Sequence, residues 1–223
     1  MSHETAADRD AAFWDGMARR YDRHTRYLAE MYAEVVRRIL QELSPDDSVL
    51  DVGTGTGEIP LLIAGKVSSV EAVDVSREMI ATAREKGRKR GVRNVAFSIH
   101  SSYNLPFRDA TFHAVIAANV LHVVERPAAL LAEAFRVLGK HGKLIAPTYV
   151  GGESIRARIF SWALRRTGHP VYTRFTSRSP RALLERCGFA VTLQIPVKNL
   201  LPVSFVVARK ADEEAETSGI PPM

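Results

Sequence analysis

The residues best suited to chemistry lie in one short stretch, SVLDVGTGTGEIP, which begins at Ser48. Three glycines alternate there with other residues, and glycine allows positive φ angles and a close approach of a ligand to the main chain. A carboxylate stands on each side of them, Asp51 before and Glu58 after. A dinucleotide fingerprint has glycine in place of Glu58, and the two acids would repel a pyrophosphate. The stretch therefore predicts a cationic or zwitterionic ligand.

Asp74 gives a second indication of the ligand. It closes the next apolar run, 21 residues after Gly53. In folds that alternate strands and helices, an acid at this place commonly accepts hydrogen bonds from ribose hydroxyls. An adenosine that carries a positively charged substituent fits this acid as well as the two acids beside the glycines.

Short β-rich runs alternate with helical segments, and these elements must position the glycines and the acids. The predicted strands are Ser48–Val52, Ser69–Asp74, Val95–Ile99, Phe112–Ala118, Lys143–Tyr149, Ala190–Ile195 and Val203–Arg209. The predicted helices between the early strands are Glu58–Gly65, Ser76–Arg90 and Pro127–Leu138. This alternation predicts a mainly parallel sheet that is covered on both faces. Ligands bind beyond the carboxyl ends of such strands, which is where the glycines lie.

Composition limits the class of protein. The 223 residues are 46% hydrophobic, enough for one compact domain with a buried core. No apolar run approaches the roughly 18 residues of a membrane span, and the polar N-terminus has no apolar signal region, so we expect a cytoplasmic protein. The single cysteine, Cys187, excludes an intramolecular disulfide, and no metal site is expected. Between Gly151 and Arg186, eight arginines stand against two acids, so that region is strongly basic.

Three segments, LDVGTGTGEIP, VEAVDVSREMI and NLPFRDATFHAVIAANVLHVV, resemble motifs of the class I S-adenosylmethionine-dependent methyltransferases, in their usual order and spacing. The chain is similar to the small-molecule methyltransferases of the ubiquinone/menaquinone type over residues 13–209. The resemblance implies an α/β, Rossmann-like three-layer sandwich, whose seven-stranded, mostly parallel sheet has an antiparallel last strand. It also implies an N-terminal helical cap (1–43), a methyltransferase domain (44–209) with a helical lid insertion (151–179), and a disordered acidic tail (210–223).

The resemblance further implies S-adenosylmethionine as the cofactor and S-adenosylhomocysteine as the product. The residues carried over as cofactor-binding are Tyr21, Asp51, Gly53, Thr54, Gly55, Gly57, Asp74, Val75, Met79, Ser101, Ser102 and Asn119. In this scheme Asp51 holds the ammonium group, Asp74 takes the ribose hydroxyls, and Tyr21 closes over the cofactor. For Gly57, cofactor contact and packing of a helix on a strand are equally compatible with the sequence.

Two positions depart from the family pattern. Ser101, followed by Ser102, stands where many relatives have an aspartate that bonds the adenine amino group. A hydroxyl can still accept that bond, but as a neutral acceptor it either binds adenine more weakly or leaves the bond to the Ser102 main chain. His113 stands where relatives usually have an aspartate, and strand alternation places it on the opposite face from Phe112 and Ala114. Because it lies near the start of its strand, we expect it to be a polar residue far from the reacting end.

Methyl transfer from a sulfonium needs proximity and alignment, and a general base only if the acceptor must lose a proton. His122, three residues past Asn119, is the candidate base, and its alternative role is structural. His100, Tyr103 and Tyr149 follow strand ends and are candidates for lining the substrate pocket.

Several functions remain open on the sequence. The leading one is methylation of a small apolar or anionic molecule such as a quinone precursor or a lipid. The pI of 9.7 also suggests RNA or protein methylation, although no separate RNA-binding module is visible and aromatic residues are sparse among the arginines, so nucleic acid is not favoured. A non-catalytic cofactor-binding module is the third. The apolar sides of ESIRARIFSWALRR leave contact with a membrane surface open, and both monomer and homodimer are compatible with the sequence.

Overall fold

The computed structural model of the chain describes residues 11–18, 29–151, 172–197 and 202–211. Its strands are β1 Ser48–Val52, β2 Ser69–Asp74, β3 Val95–Ile99, β4 Phe112–Ile116, β5 Leu138–Ile145, β6 Thr148–Tyr149, β7 Phe189–Val197 and β8 Val203–Lys210. Its helices are α1 (residues 11–18), α2 Ala29–Glu42, α3 Glu58–Ile63, α4 Arg77–Lys89, α5 Pro127–Val137 and α6 Ser179–Arg186, with a 3-10 turn at Ala64–Lys66 after α3.

The strands form one sheet with a parallel core. Its order is β3-β2-β1-β4-β5-β8, and all neighbours from β3 to β5 pair in parallel. The last strand, β8, runs antiparallel to β5, β6 and β7. The predicted α/β fold with an antiparallel last strand is therefore confirmed.

The fifth predicted strand differs most from the structure, whereas the ends of β4, β7 and β8 differ by one or two residues. The sequence pattern predicts a single strand over Lys143–Tyr149, but β5 ends at Ile145 and the separate β6 begins at Thr148. Pro147 lies between them and has no N–H with which to continue the ladder. Because of this split, the described residues form eight strands rather than seven. β5 also begins earlier than predicted, at Leu138.

Helices cover both faces of the sheet. In β1, Leu50 packs in one buried cluster with Leu130 and Leu131 of α5, whereas its neighbour Val49 packs in another with Ile39 of α2. Strands that are buried on both sides read as continuous apolar runs, which explains why the sequence located them well. The carboxyl ends of β1 to β5 meet at one edge of the sheet.

Some predictions lie outside the described residues. They concern Tyr21, most of the lid insertion (residues 152–171) and the tail from residue 212 onward. The division into cap, domain and tail stays a prediction. Among the helices that the structure describes, none has both the length and the apolar character that crossing a bilayer requires.

Candidate functional site

A pocket opens at the carboxyl edge of the sheet, directly above the glycine-rich loop. Many residues predicted from sequence lie together in its lining. They are Gly53, Gly55, Asp74, Val75, Met79, His100, Ser101, Ser102, Tyr103 and Asn119. The loops after β1, β2, β3 and β4 all contribute, so the pocket is built by the strand ends themselves.

Five lining residues were not predicted from the sequence: Trp14, Ala118, Val120, Val123 and Val124. The valines and Ala118 flank Asn119 in the quoted motif, and they make that wall of the pocket apolar. Trp14 belongs to α1 and stands beside Asp15 in the segment FWDGMARRYDR. The aromatic residue next to an acid was the only sequence feature that could have indicated a pocket role for Trp14. A tryptophan on a helix is equally compatible with packing in the core.

Other predicted residues do not line the pocket: Asp51, Thr54, Gly57, His122 and Tyr149. For Gly57 the structure gives a packing reason. A Cβ atom there would lie 2.7 Å from Phe97 of β3 and 2.8 Å from the Ala83 Cβ of α4. This contact accounts for the glycine without a ligand.

The glycine-rich loop is fixed to the neighbouring strand. The N–H groups of Gly53 and Thr54 both donate to the Val73 carbonyl, at 2.9 and 3.0 Å. Gly53 has a φ of +71°, and a Cβ atom there would lie 2.6 Å from Val120 Cγ2. Conformation and close approach thus both require glycine at this position.

Asp74 is held by main-chain donors. Its Oδ2 accepts from the Gly55 N–H at 2.8 Å and its Oδ1 accepts from the Ser76 N–H at 2.9 Å. A carboxylate has about four lone-pair positions, so these bonds leave acceptor capacity toward the pocket. The side chain is 9% exposed, at the pocket wall. This arrangement suits a ligand that offers two hydroxyl donors.

The site concentrates negative charge in a buried place. Burial, against a hydrogen bond from the Thr54 side chain and together with the charge of Asp74, raises the pKa of Asp51 from 3.8 to about 7. Burial likewise raises the pKa of Asp74, against the hydrogen bonds from the Ser76, Gly55 and Val75 main chain. No cationic side chain contributes to either pKa among the described residues. A cationic ligand would supply the missing counter-charge.

Asn119 Oδ1, beyond β4, is buried and has no hydrogen-bond partner among the residues that the structure describes. Asn119 also has a φ of +53°, and its N–H donates to the Pro147 carbonyl at 2.7 Å. Buried polar groups are normally satisfied, so the unpaired oxygen of Asn119 indicates a position for a polar ligand. Together with the buried acids, it fits the amino-acid part and the ribose of S-adenosylmethionine.

The turn after β3 carries Ser101. The Ser101 hydroxyl accepts from the Tyr103 N–H at 3.2 Å and so shapes the turn that faces the pocket. Farther along, Arg136 of α5 donates to the Leu105 and Phe107 carbonyls, at 2.9 and 2.7 Å. The turn is therefore anchored to a helix, which sequence reasoning did not predict because the partners lie about 30 residues apart.

His122 and Tyr149 lie next to the pocket rather than in its lining. His122 is 8% exposed, and its ring centroid lies 5.8 Å from that of Tyr149. Its carbonyl accepts from the N–H groups of Tyr172 and Thr173, at 3.0 and 3.3 Å. His122 thus joins the segment that follows residue 171 to the loop after β4.

His113 lies far from this edge. It is exposed near the start of β4, and its Nδ1 lies 2.9 Å from Ser48 Oγ at the start of β1. It links two strands at the opposite end of the sheet from the pocket, as its place near the start of β4 predicts. In the described part of the chain, no group of three or more His, Cys, Asp or Glu residues could hold a metal ion.

Part of the chain is similar to a known protein family. Residues 50–146 match the family model described as "Methyltransferase domain". A demethylmenaquinone methyltransferase from Mycolicibacterium vanbaalenii is 35% identical over 139 residues, which are 60% of this chain and 58% of that protein. The C-methyltransferase UbiE of ubiquinone/menaquinone biosynthesis from Rhizobium meliloti is 34% identical over 104 residues, 45% of this chain and 40% of that protein. The chain thus spans less than two thirds of either relative.

Solved structures agree on the fold. The YcgJ protein from Bacillus subtilis superposes with a TM-score of 0.68 at 17% identity, over 81% of this chain and 99% of that one. A SAM-dependent methyltransferase from Methanosarcina mazei gives 0.67 at 21% identity, over 79% of this chain and 98% of that one. At these identities the comparison supports the architecture alone.

Proposed function

We propose a function from one premise: this chain belongs to the class I S-adenosylmethionine-dependent methyltransferases. On that premise, the protein transfers a methyl group from S-adenosylmethionine to a small-molecule acceptor. When bound, the cofactor supplies an activated methyl group on a sulfonium centre. The protein then has to bind and orient the cofactor and the acceptor and to exclude water, and its pocket is suited to these tasks.

Different residues of the site bind different parts of the cofactor. Asp74 takes the ribose hydroxyls, and Asp51, below the loop, balances the ammonium charge. Gly53 and Gly55 let the main chain pass close to the amino-acid part, and the unpaired side-chain oxygen of Asn119 takes a donor near it. Val75, Met79, Ser101 and Ser102 form the adenine end of the same pocket.

The observation that carries this proposal is the buried pair Asp51 and Asp74 beside the positive-φ glycines, without a cation from the described residues. A phosphorylated nucleotide would meet repulsion there, whereas a cationic adenosine compensates the charge. Both acids are assigned to binding, because they are buried and Asp74 is held by main-chain donors.

The acceptor is a small and largely apolar molecule. Val120, Val123 and Val124 give the pocket an apolar wall beside its polar floor. The relatives that act in ubiquinone and menaquinone biosynthesis favour a quinone-type acceptor and transfer to carbon. His122 lies outside the pocket lining, so we assign it the positioning of the loop after β4 rather than a proton transfer.

The proposal is tested in two stages. Isothermal titration calorimetry with S-adenosylhomocysteine tests the cofactor site, and one-to-one binding is expected. Production of S-adenosylhomocysteine is then followed with a water-soluble demethylated naphthoquinol, with phosphatidylethanolamine vesicles and with unmodified RNA in parallel. Turnover only with the quinol supports the acceptor class, and turnover only with RNA or the vesicles contradicts it. A folded protein without measurable cofactor binding contradicts the whole proposal.

A further inference from the structure

Helix α1 brings two adjacent side chains to the rim of the pocket. Trp14 is part of the pocket lining, and its ring packs edge-to-face on Phe13, with centroids 5.1 Å apart and planes at 87°. The next residue, Asp15, reaches the start of α4, 61 positions away in sequence. The Ser76 hydroxyl donates to Asp15 Oδ1 at 2.5 Å, and the Glu78 N–H donates to the same oxygen at 3.2 Å.

Ser76 connects this contact to the ribose-binding acid. It is completely buried, and its N–H donates to Asp74 Oδ1 at 2.9 Å. Its hydroxyl also accepts from the Met79 N–H at 3.1 Å, which makes it the N-cap of α4. Asp15 and Asp74 therefore converge on one helix N-terminus, whose dipole stabilises both negative charges.

We propose that Asp15 positions Trp14 over the cofactor, so that α1 covers bound S-adenosylmethionine and slows its release. Trp14 is then an additional cofactor-contact residue, and Asp15 is a positioning residue that acts through Ser76. An indole presents an apolar face that suits an adenine ring or a cationic centre. The inference rests on the proposed function, because it needs a cofactor in the pocket.

The test uses the intrinsic fluorescence of Trp14 in the full-length chain. The sequence has two tryptophans, Trp14 and Trp162, so the variant Trp162→Phe reports on Trp14 alone. Titration with S-adenosylhomocysteine should change its emission saturably, with the dissociation constant that calorimetry gives. Adding Asp15→Ala should weaken binding about tenfold, the scale of a lost charge-assisted hydrogen bond, mainly through faster dissociation in stopped-flow displacement.

Two further variants separate positioning from simple stability. Asp15→Asn keeps an acceptor oxygen and should retain part of the slow dissociation. Glu85→Ala removes an acid from an exposed pair with Lys89 on the same helix α4, and it should leave the dissociation rate unchanged. If Asp15→Ala lowers the unfolding temperature but the folded fraction releases ligand at the original rate, Asp15 is only structural and the inference is wrong.

The outcomes also distinguish this inference from the proposed function. Binding of S-adenosylhomocysteine with a silent Trp14 overturns the inference and leaves the proposed function intact. No binding to the unaltered chain overturns both. A saturable Trp14 response together with accelerated release from Asp15→Ala supports the inference.

Discussion

Asp51 allows a quantitative prediction, because its burial has a cost that depends on pH. Burial raises the pKa of this carboxyl group from its ordinary 3.8 to about 7, and the nearby charge of Asp74 contributes to the rise. An acid whose pKa is raised by folding stabilises the folded state fully only below its unfolded pKa. That contribution is lost as the pH rises from about 4 to about 7. The variant Asp51→Asn has no such loss and should become increasingly more stable than the parent over this range.

The size of the effect follows from the two pKa values. Each pH unit in the window is worth about 1.4 kcal/mol, so the interval from 3.8 to about 7 amounts to about 4 kcal/mol. Asp51 is only 2% exposed, so solvent screening reduces this figure little. Between pH 5 and pH 7, the stability difference between Asp51→Asn and the parent should therefore grow by about 2 kcal/mol, and it should level off above pH 7.

Urea unfolding followed by circular dichroism at pH 5, 6, 7 and 8 measures this difference without ligand. Glu85→Gln changes an exposed acid, and its difference from the parent should stay flat across these pH values. Parallel stability curves for Asp51→Asn and the parent would refute the reasoning, because they would place Asp51 in contact with water or with an unrecognised cation. Binding of S-adenosylhomocysteine should be weaker in Asp51→Asn, so stability is gained at the expense of affinity.

Three other substitutions test the loop and the pocket wall. Gly53→Ala should lower the free energy of unfolding by about 2 to 4 kcal/mol in urea titrations, because alanine meets both a positive φ and the Val120 side chain; an unchanged value would contradict the close approach. Asp74→Asn should weaken S-adenosylhomocysteine binding by about ten- to hundredfold in calorimetry, and equal affinity would exclude Asp74 from the site. Gly57→Ala should lower the unfolding midpoint by crowding Phe97 while the folded protein keeps its affinity; a selective loss of affinity would show that Gly57 contacts the ligand.

The sheet was largely predictable from the sequence because its central strands, such as β1, are buried on both faces. Residues such as Val49 and Leu50 pack on opposite sides of β1, and both sides demand apolar residues. The loop was equally predictable, since its glycines adopt positive φ angles and Asp74 ends β2. These features are local, and local physical chemistry decides them.

Contacts between distant segments were not predictable in this way. The attachment of α1 to α4 depends on Asp15 meeting Ser76, and helical periodicity specifies a face of a helix without specifying its partner. Likewise, the turn after β3 depends on Arg136, which no spacing rule connects to Leu105. The break between β5 and β6 is different, because Pro147 was a local signal against one continuous strand.

That break has a structural consequence for the pocket. The segment that follows β4 lies beside the end of β5, and its Ala117 N–H donates to the Ile145 carbonyl at 2.9 Å. Two residues later, the Asn119 N–H donates to the Pro147 carbonyl at 2.7 Å. Pro147 itself has no N–H group. Pro147 accepts the hydrogen bond that orients Asn119, but it cannot donate a hydrogen bond to a neighbouring strand. The ladder of hydrogen bonds between β4 and β5 can thus end where the pocket begins, while Asn119 stays hydrogen-bonded to the segment that follows β5.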